Sequence, residues 1–322
     1  MNPLAAVFDG LFLARPMLWA PVWGFCLFGY VRARFHVGDP VALGGWPGAS
    51  VRALGEILLF SCAVGGVYVL NQMADRDVDD SNPGFALLAH GQLGRPLAVA
   101  AAVVYAAVPV VGGLLLGQRM LIAFAAAALV LGIVYSVEPT RFSGRPILDF
   151  VSNAVGYGGI AFGMGWYAAG VALDLDTLYA AAPYLLLMGA GSISSTLPDI
   201  DGDRRGGKRT TAVVLGPRRA HALATVLLLL SAGAAAAVGD LPAGVCAGLA
   251  LPFYIVYAVR PTPLLMEATY KVGGTAAMLV VALFVPVFAA AGLLTLLATR
   301  IYFKVRFGVR YPSLASATTY AD

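Results

Sequence analysis

The chain has 322 residues, of which 60% are hydrophobic and only 12% are charged. A soluble protein of this size could not cover its surface with so few polar residues, so the composition excludes a soluble globular enzyme and indicates an integral membrane protein. The net charge is only +4, and no basic stripe with interleaved aromatic residues is present, so we expect no nucleic-acid partner.

Stretches of about 20 apolar residues, the length that crosses a bilayer as a helix, recur nine times along the chain. They cover roughly residues 13–33, 52–72, 96–117, 119–137, 147–171, 178–198, 219–239, 241–260 and 272–298. We therefore predict an all-α, multi-pass membrane protein that forms one transmembrane domain of about nine helices.

An acidic cluster directly follows the second predicted span. Within it, Asn71, Asp75 and Asp79 are spaced i, i+4 and i+8, so on a helix they share one face. Acids gathered at the end of a membrane helix repel one another and lose hydration unless a cation compensates them. Oxygen ligands of this kind suit Mg²⁺, which binds proteins through one or two carboxylates together with substrate phosphates.

A second acidic cluster follows the sixth span and contains Asp199 and Asp203, again four residues apart. Asp77 and Asp201 lie about 200° round the helix from the acids before them, so we expect them to support the loops. The repeated placement suggests two helical halves, residues 1–137 and 138–298, that each contribute one cluster to a shared cavity. A tail at 299–322 follows the second half.

Basic residues are unevenly distributed between the loops. The loops after spans 2, 4, 6 and 8 contain twelve Lys and Arg residues, whereas the other loops between spans contain only four. The positive-inside rule therefore places both acidic clusters on the cytoplasmic side. Nine spans would put the basic residues of the tail on the outer side, against the same rule: Arg300, Lys304, Arg306 and Arg310.

Several motifs, taken in order, resemble those of the UbiA-type intramembrane prenyltransferases. The two aspartate clusters, Asn71-x3-Asp75-x3-Asp79 and Asp199-x3-Asp203, are similar to the paired aspartate motifs of that family. Three further matches are Ala14-Arg15-Pro16 at the first span, Tyr135-Ser136-Val-Glu-Pro139-Thr-Arg141 after the fourth, and Pro198–Arg204 running into Lys208-Arg209-Thr210. Together the motifs cover about residues 12–290.

The resemblance implies a helical bundle around a central cavity that opens laterally to lipid. It further implies transfer of an isoprenyl group from an isoprenyl diphosphate to a lipophilic acceptor, with release of pyrophosphate. Two Mg²⁺ ions would bridge the aspartates to the diphosphate, one held by Asn71, Asp75 and Asp79 and the other by Asp199 and Asp203. Metal ions stabilise the charge that develops on a leaving pyrophosphate, and a dry pocket protects the carbocation from water.

Cations near these metals would take up the remaining charge of the diphosphate. Arg15, Lys208 and Arg209 are the best candidates for this contact, and Arg141 follows. The alternative for these cations is that they only obey the positive-inside rule. Tyr135 is a further substrate contact on this reading, and its alternative is an aromatic residue at the membrane interface.

Two other classes of function fit the same pattern. A cyclase on this scaffold would act on an isoprenyl diphosphate without an acceptor. An ion-binding transporter is disfavoured because the acids lie at the ends of spans rather than in the middle of interrupted ones. The apolar segment Phe85–Ala89 beside the first cluster is either a lid that dries the cavity or an anchor at the interface.

Overall fold

The computed structural model describes residues 3–75, 88, 93–309 and 311, and the regular structure of this part is entirely helical. Its helices are α1 (Pro3–Leu13), α2 (Trp19–His36), α3 (Val51–Ala74), α4 (Arg95–Leu115), α5 (Arg119–Ser136), α6 (Leu148–Asn153), α7 (Phe162–Ala168), α8 (Leu175–Thr196), α9 (Ile200–Arg205), α10 (Thr211–Ala237), α11 (Leu241–Val259), α12 (Pro263–Phe284) and α13 (Pro286–Phe307). Short 3-10 turns at Pro16–Leu18 and Phe142–Gly144 precede α2 and α6.

The lengths of the helices confirm a multi-pass membrane bundle. Among the described residues, eight helical segments are long and apolar enough to cross a bilayer, when α1 and α2 are counted as one segment. Helix α8 adds 22 residues, and α6, the π-helical segment Ala154–Ala161 and α7 form one further continuous run. A helix of this length spans about 30 Å, the thickness of a hydrocarbon core.

The ninth predicted span, residues 272–298, is not one helix. Helix α12 ends at Phe284, Val285 has non-helical dihedral angles, and α13 begins at Pro286. Proline lacks the backbone N–H that would continue the ladder of α12, so the chain breaks there. The predicted tail at 299–322 consequently begins inside α13, which continues to Phe307.

Because the chain reverses direction at Pro286, the C-terminal end of α13 lies at the same end of the bundle as α1. The backbone N–H of Gly44, in the loop between α2 and α3, donates to the carbonyl oxygen of Leu283 at the end of α12. The opposite end of α13 contacts α1 through Arg306 and Asp9. The basic residues near the end of α13 therefore lie at the same end of the bundle as α1, and the conflict with the positive-inside rule disappears for Arg300, Lys304 and Arg306.

Helices α2 and α7 cross with their backbones nearly in contact. A Cβ atom on Gly29 would lie 1.9 Å from the carbonyl oxygen of Phe162, and one on Gly165 would lie 1.6 Å from that of Cys26. Small residues are what allow such close helix packing in a membrane. The rings of Phe28 and Tyr184 contact each other and belong to the same buried hydrophobic core.

Candidate active site

Asp75 lies where α3 ends, and its carboxylate is buried. Asn71, one turn earlier, donates from Nδ2 to Asp75 Oδ2 at 3.1 Å and to Ser136 Oγ at 3.4 Å. The two motif residues therefore share one face of the helix, as the i, i+4 spacing predicts. Asp77, Asp79 and the Phe85–Ala89 segment, except for the buried Leu88, lie outside the described residues.

Two cations from distant loops contact the same carboxylate. Arg141 Nη2 lies 2.9 Å from Asp75 Oδ1, and Lys208 Nζ lies 3.1 Å from Asp75 Oδ2. Arg141 follows α5, and Lys208 follows α9 in the second acidic motif. The ion pairs thus bring together the first motif, the Tyr-Ser-x-x-Pro-x-Arg segment and the second motif at one point.

The second motif folds as the short helix α9, in which Asp199 and Asp203 lie one turn apart and the N–H of Asp203 donates to the carbonyl oxygen of Asp199. Burial raises the pKa of Asp203, the nearby Lys208 ammonium opposes the rise, and the charges of Asp75 and Asp149 add to it. The negative charges of Asp75 and Asp203 therefore oppose each other, and a divalent cation bound through oxygen ligands would offset that repulsion. The side chain of Asp201 is 86% exposed.

Asp149 is a buried acid at this site that the sequence reasoning missed. Its carboxylate accepts hydrogen bonds from the backbone N–H of Thr211 at 2.7 Å and from the Thr211 hydroxyl. This contact ties the start of α6 to the start of α10 and so fixes the loop that carries Lys208. The available signal was an acid inside an apolar stretch, which is costly unless it has a partner.

Replacing Asp149 with Ala is expected to destabilise the protein by about 2–3 kcal/mol, because the Thr211 N–H and hydroxyl would lose the acceptor on which they depend. Thermal unfolding in detergent measures the effect. Asp201→Ala is the matched control, because its exposed side chain should change stability by no more than about 0.5 kcal/mol. Equal effects of the two substitutions would contradict the structural role of Asp149.

The remaining predicted contacts divide into two groups. Tyr135 and Arg15 line the central cavity, beside Asn71. Arg209 is exposed, and its backbone N–H donates to the carbonyl oxygen of Gly144, so Lys208 is the cation of this pair that faces the carboxylates.

Arg15 and Arg141 both have left-handed backbone angles, with φ values of 49° and 32°. Such angles are costly for non-glycine residues and are concentrated at functional sites.

An apolar cavity of about 210 Å³ opens beside these residues. Its polar lining includes Arg15 and Asn71, the hydrogen-bond partner of Asp75, and aliphatic and aromatic residues form most of the rest. Its lining is Arg15, Leu18, Val22, Phe60, Val64, Val67, Tyr68, Asn71, Ala128, Leu131, Gly132, Tyr135, Ser152, Asn153, Gly156, Tyr157 and Ala161. Tyr68 and Tyr157 are joined by a hydroxyl hydrogen bond of 2.7 Å. The cavity suits a molecule with a charged head and a hydrocarbon tail.

Known proteins share both the sequence pattern and the fold. The model of the UbiA prenyltransferase family matches residues 22–273. A lycopene elongase/hydratase of Haloferax volcanii is 33% identical over 228 residues, which are 70% of this chain and 71% of that protein. Solved structures of a UbiA homologue from Archaeoglobus fulgidus, bound to GPP and Mg²⁺ or to DMAPP and Mg²⁺, superpose with TM-scores of 0.64 and 0.63. Each is 20% identical and covers 89% of this chain and 98% of its own.

Proposed function

The chain belongs to the UbiA prenyltransferase family and is a membrane-embedded prenyltransferase, and on that premise we propose that it transfers a short isoprenyl group to a linear polyene within the bilayer. The observation that carries the proposal is the convergence of Arg141 and Lys208 on Asp75, whose hydrogen-bond partner Asn71 lines an apolar cavity. A diphosphate needs cations at its head, and an isoprenyl chain needs an apolar wall. Residues 1–137 would supply the first acidic motif and residues 138–298 the second.

The donor end of the site has the chemistry for a metal diphosphate. Asn71, Asp75 and Asp79 would hold one Mg²⁺ and Asp199 and Asp203 another, which agrees with the oxygen ligands that Mg²⁺ prefers. Bound metal supplies a positive charge that stabilises the leaving pyrophosphate. The Archaeoglobus fulgidus homologue, bound to Mg²⁺ together with GPP or DMAPP, supports this assignment.

The protein side chains bind the phosphate, exclude water and stabilise the carbocation. Lys208, Arg141 and Arg15 bind the phosphate oxygens and balance the negative charge that grows as the allylic C–O bond breaks. The apolar wall excludes water from the carbocation. The rings of Tyr157 and Tyr68 lie in the cavity, where an aromatic face attracts a cation.

The Haloferax volcanii relative, a lycopene elongase/hydratase, supports a linear polyene as the acceptor. A linear polyene offers only carbon–carbon double bonds as nucleophiles. A terminal double bond would attack C1 of the donor while pyrophosphate leaves with the electron pair. The tertiary cation that results would lose a proton to give the elongated polyene, or take up water and then lose a proton to give a tertiary alcohol.

The test is incubation of membranes that contain the protein with labelled DMAPP, Mg²⁺ and lycopene, followed by mass spectrometry of the lipids. We expect lycopene products extended by one or two isoprene units, together with released pyrophosphate. Labelled product only with an aromatic acceptor would overturn the polyene assignment. Pyrophosphate release without any acceptor, with a cyclic product, would instead indicate a cyclase.

The sidedness of the loops can be tested with single cysteines in a background without the three native ones. Cysteines at Gly206 and Lys304 are expected to react only with reagent added on the cytoplasmic side, because the basic loops lie at that end. Cysteines at Arg119 and Leu241 are expected to react only from the other side. All four positions are exposed. Modification of positions 206 and 304 from opposite sides would contradict both the orientation and the returning helix α13.

A further inference from the structure

A buried acid joins the two terminal segments of the described chain. Asp9 of α1 is fully buried and accepts hydrogen bonds from Tyr302 Oη at 2.8 Å, Arg306 Nε at 3.0 Å and Arg306 Nη2 at 3.1 Å. The ring of Phe12 stacks on that of Tyr302 with centroids 3.9 Å apart. Both segments lie outside residues 22–273, the part of the chain that matches the family model.

Helix α1 leads directly into the turn that carries Arg15. Gln72 Nε2 donates to the carbonyl oxygen of Leu13 at 2.7 Å, and Tyr68 Oη donates to that of Leu18 at 3.1 Å. Tyr68 and Gln72 flank Asn71 on α3, so the backbone on both sides of Arg15 is fixed relative to the first acidic motif. A small cavity that includes Arg15, Gln72 and Phe303 shows that α13 reaches this turn as well.

The left-handed conformation of Arg15, with φ 49° and ψ 62°, costs about 1–2 kcal/mol and persists only where the surroundings enforce it. The hydrogen bonds from α3 hold the backbone at Leu13 and Leu18. The preceding turn of α1 is held by the charge contact between Asp9 and the end of α13. Loosening that contact would let α1 move and the turn relax, while the metal-binding motifs on α3 and α9 stay in place.

We propose that Asp9, with Tyr302 and Arg306, is a positioning residue that directs Arg15 toward the diphosphate of the donor. The inference rests on the proposed function, in which Arg15 binds phosphate oxygens. Asp9 itself contacts no substrate. Its carboxylate acts through the strained turn, and helix α13 thereby contributes to donor binding.

The test compares Asp9→Asn, which keeps the shape of the side chain but removes its charge, with the unchanged enzyme. We expect the KM for the isoprenyl diphosphate to rise about tenfold, and inhibition by inorganic pyrophosphate to weaken by the same factor, because a charged contact to phosphate is misplaced. The KM for the acceptor should stay constant. In an Arg15→Ala background, Asp9→Asn should add nothing further, since both substitutions remove the same interaction.

The chain offers a matched control at the opposite end of the bundle. There Asp240 is also buried, accepts from Tyr184 Oη at 3.0 Å and lies 3.5 Å from Arg32 Nε. Both Asp240→Asn and Asp9→Asn are expected to lower thermal stability, but Asp240→Asn should leave the donor KM and pyrophosphate inhibition unchanged.

Three outcomes are decisive. An unchanged donor KM in Asp9→Asn, or additive effects of Asp9 and Arg15, would overturn the positioning role while leaving the proposed function intact. No effect of Arg15→Ala alone would overturn its premise, the phosphate contact of Arg15. If Asp9→Asn does not fold, Arg306→Lys replaces it as the test. Lysine keeps the positive charge but cannot make both of the hydrogen bonds that Arg306 donates to Asp9, so the donor KM should rise to a smaller extent. An unchanged donor KM in Arg306→Lys would overturn the proposal.

Discussion

Replacing Asp75 with Asn is expected to lower turnover by at least about a hundredfold without unfolding the protein. Asparagine keeps the size of the side chain and an oxygen that can accept from Asn71, but it removes a negative charge from the centre of the oxygen cluster. The cations of Arg141 and Lys208 would then face a neutral group, and the metal diphosphate would lose a ligand. Release of pyrophosphate at saturating Mg²⁺ measures the loss.

Asp199→Asn should have an effect of the same order, because each motif is proposed to serve one end of the same diphosphate. The double variant should lose less than the product of the two single effects, since the residues act as one unit. Asp201→Asn is the matched control in the same loop, and its exposed side chain should tolerate the change. Near-normal turnover in Asp75→Asn would contradict a mechanism that needs both motifs.

Local spacing was sufficient to predict which polar groups share a helix face. The four-residue step from Asn71 to Asp75 predicts a shared helix face, and the structure joins the two side chains by a hydrogen bond. The same step places Asp199 and Asp203 one turn apart at α9. Such predictions succeed because helix geometry alone fixes the relation between residues one turn apart. The multi-pass helical bundle followed in the same way from the length of the apolar stretches.

Contacts between distant segments needed the structure. Lys208 and Arg209 are adjacent in sequence, and only the folded loop, held by Asp149 and Thr211, shows that Lys208 faces Asp75. Hydropathy also merged the last two helices, because Val285 and Pro286 are as apolar as their neighbours and the break depends on a missing backbone N–H. Composition records how apolar a segment is, but it does not record where the hydrogen-bond ladder stops.

Replacing Lys208 with Met is expected to lower kcat/KM for the isoprenyl diphosphate by about 10–100-fold. Methionine keeps an unbranched side chain that can fill the same space, but it carries no charge. The ammonium group lies 3.1 Å from Asp75 Oδ2, and its charge opposes the rise in the pKa of Asp203. It therefore interacts with both acidic motifs, where we propose that the diphosphate binds. A cation at that point stabilises the leaving group more than the intact donor, because negative charge grows as the bond breaks. The loss should therefore appear in kcat as well as in KM.

Arg204→Met separates this local effect from a general loss of positive charge. Arg204 is in the same loop, but its side chain is 62% exposed and its partner Asp201 is more exposed still. Steady-state kinetics of both variants, with donor and acceptor varied in turn, should show a loss only for Lys208→Met and no change in the KM for the acceptor. Equal losses would mean that the loop attracts the donor through its overall charge, and the effect of both substitutions should then fade with added salt. A loss confined to Lys208 and insensitive to salt is the behaviour expected of a partly buried cation in contact with the departing pyrophosphate.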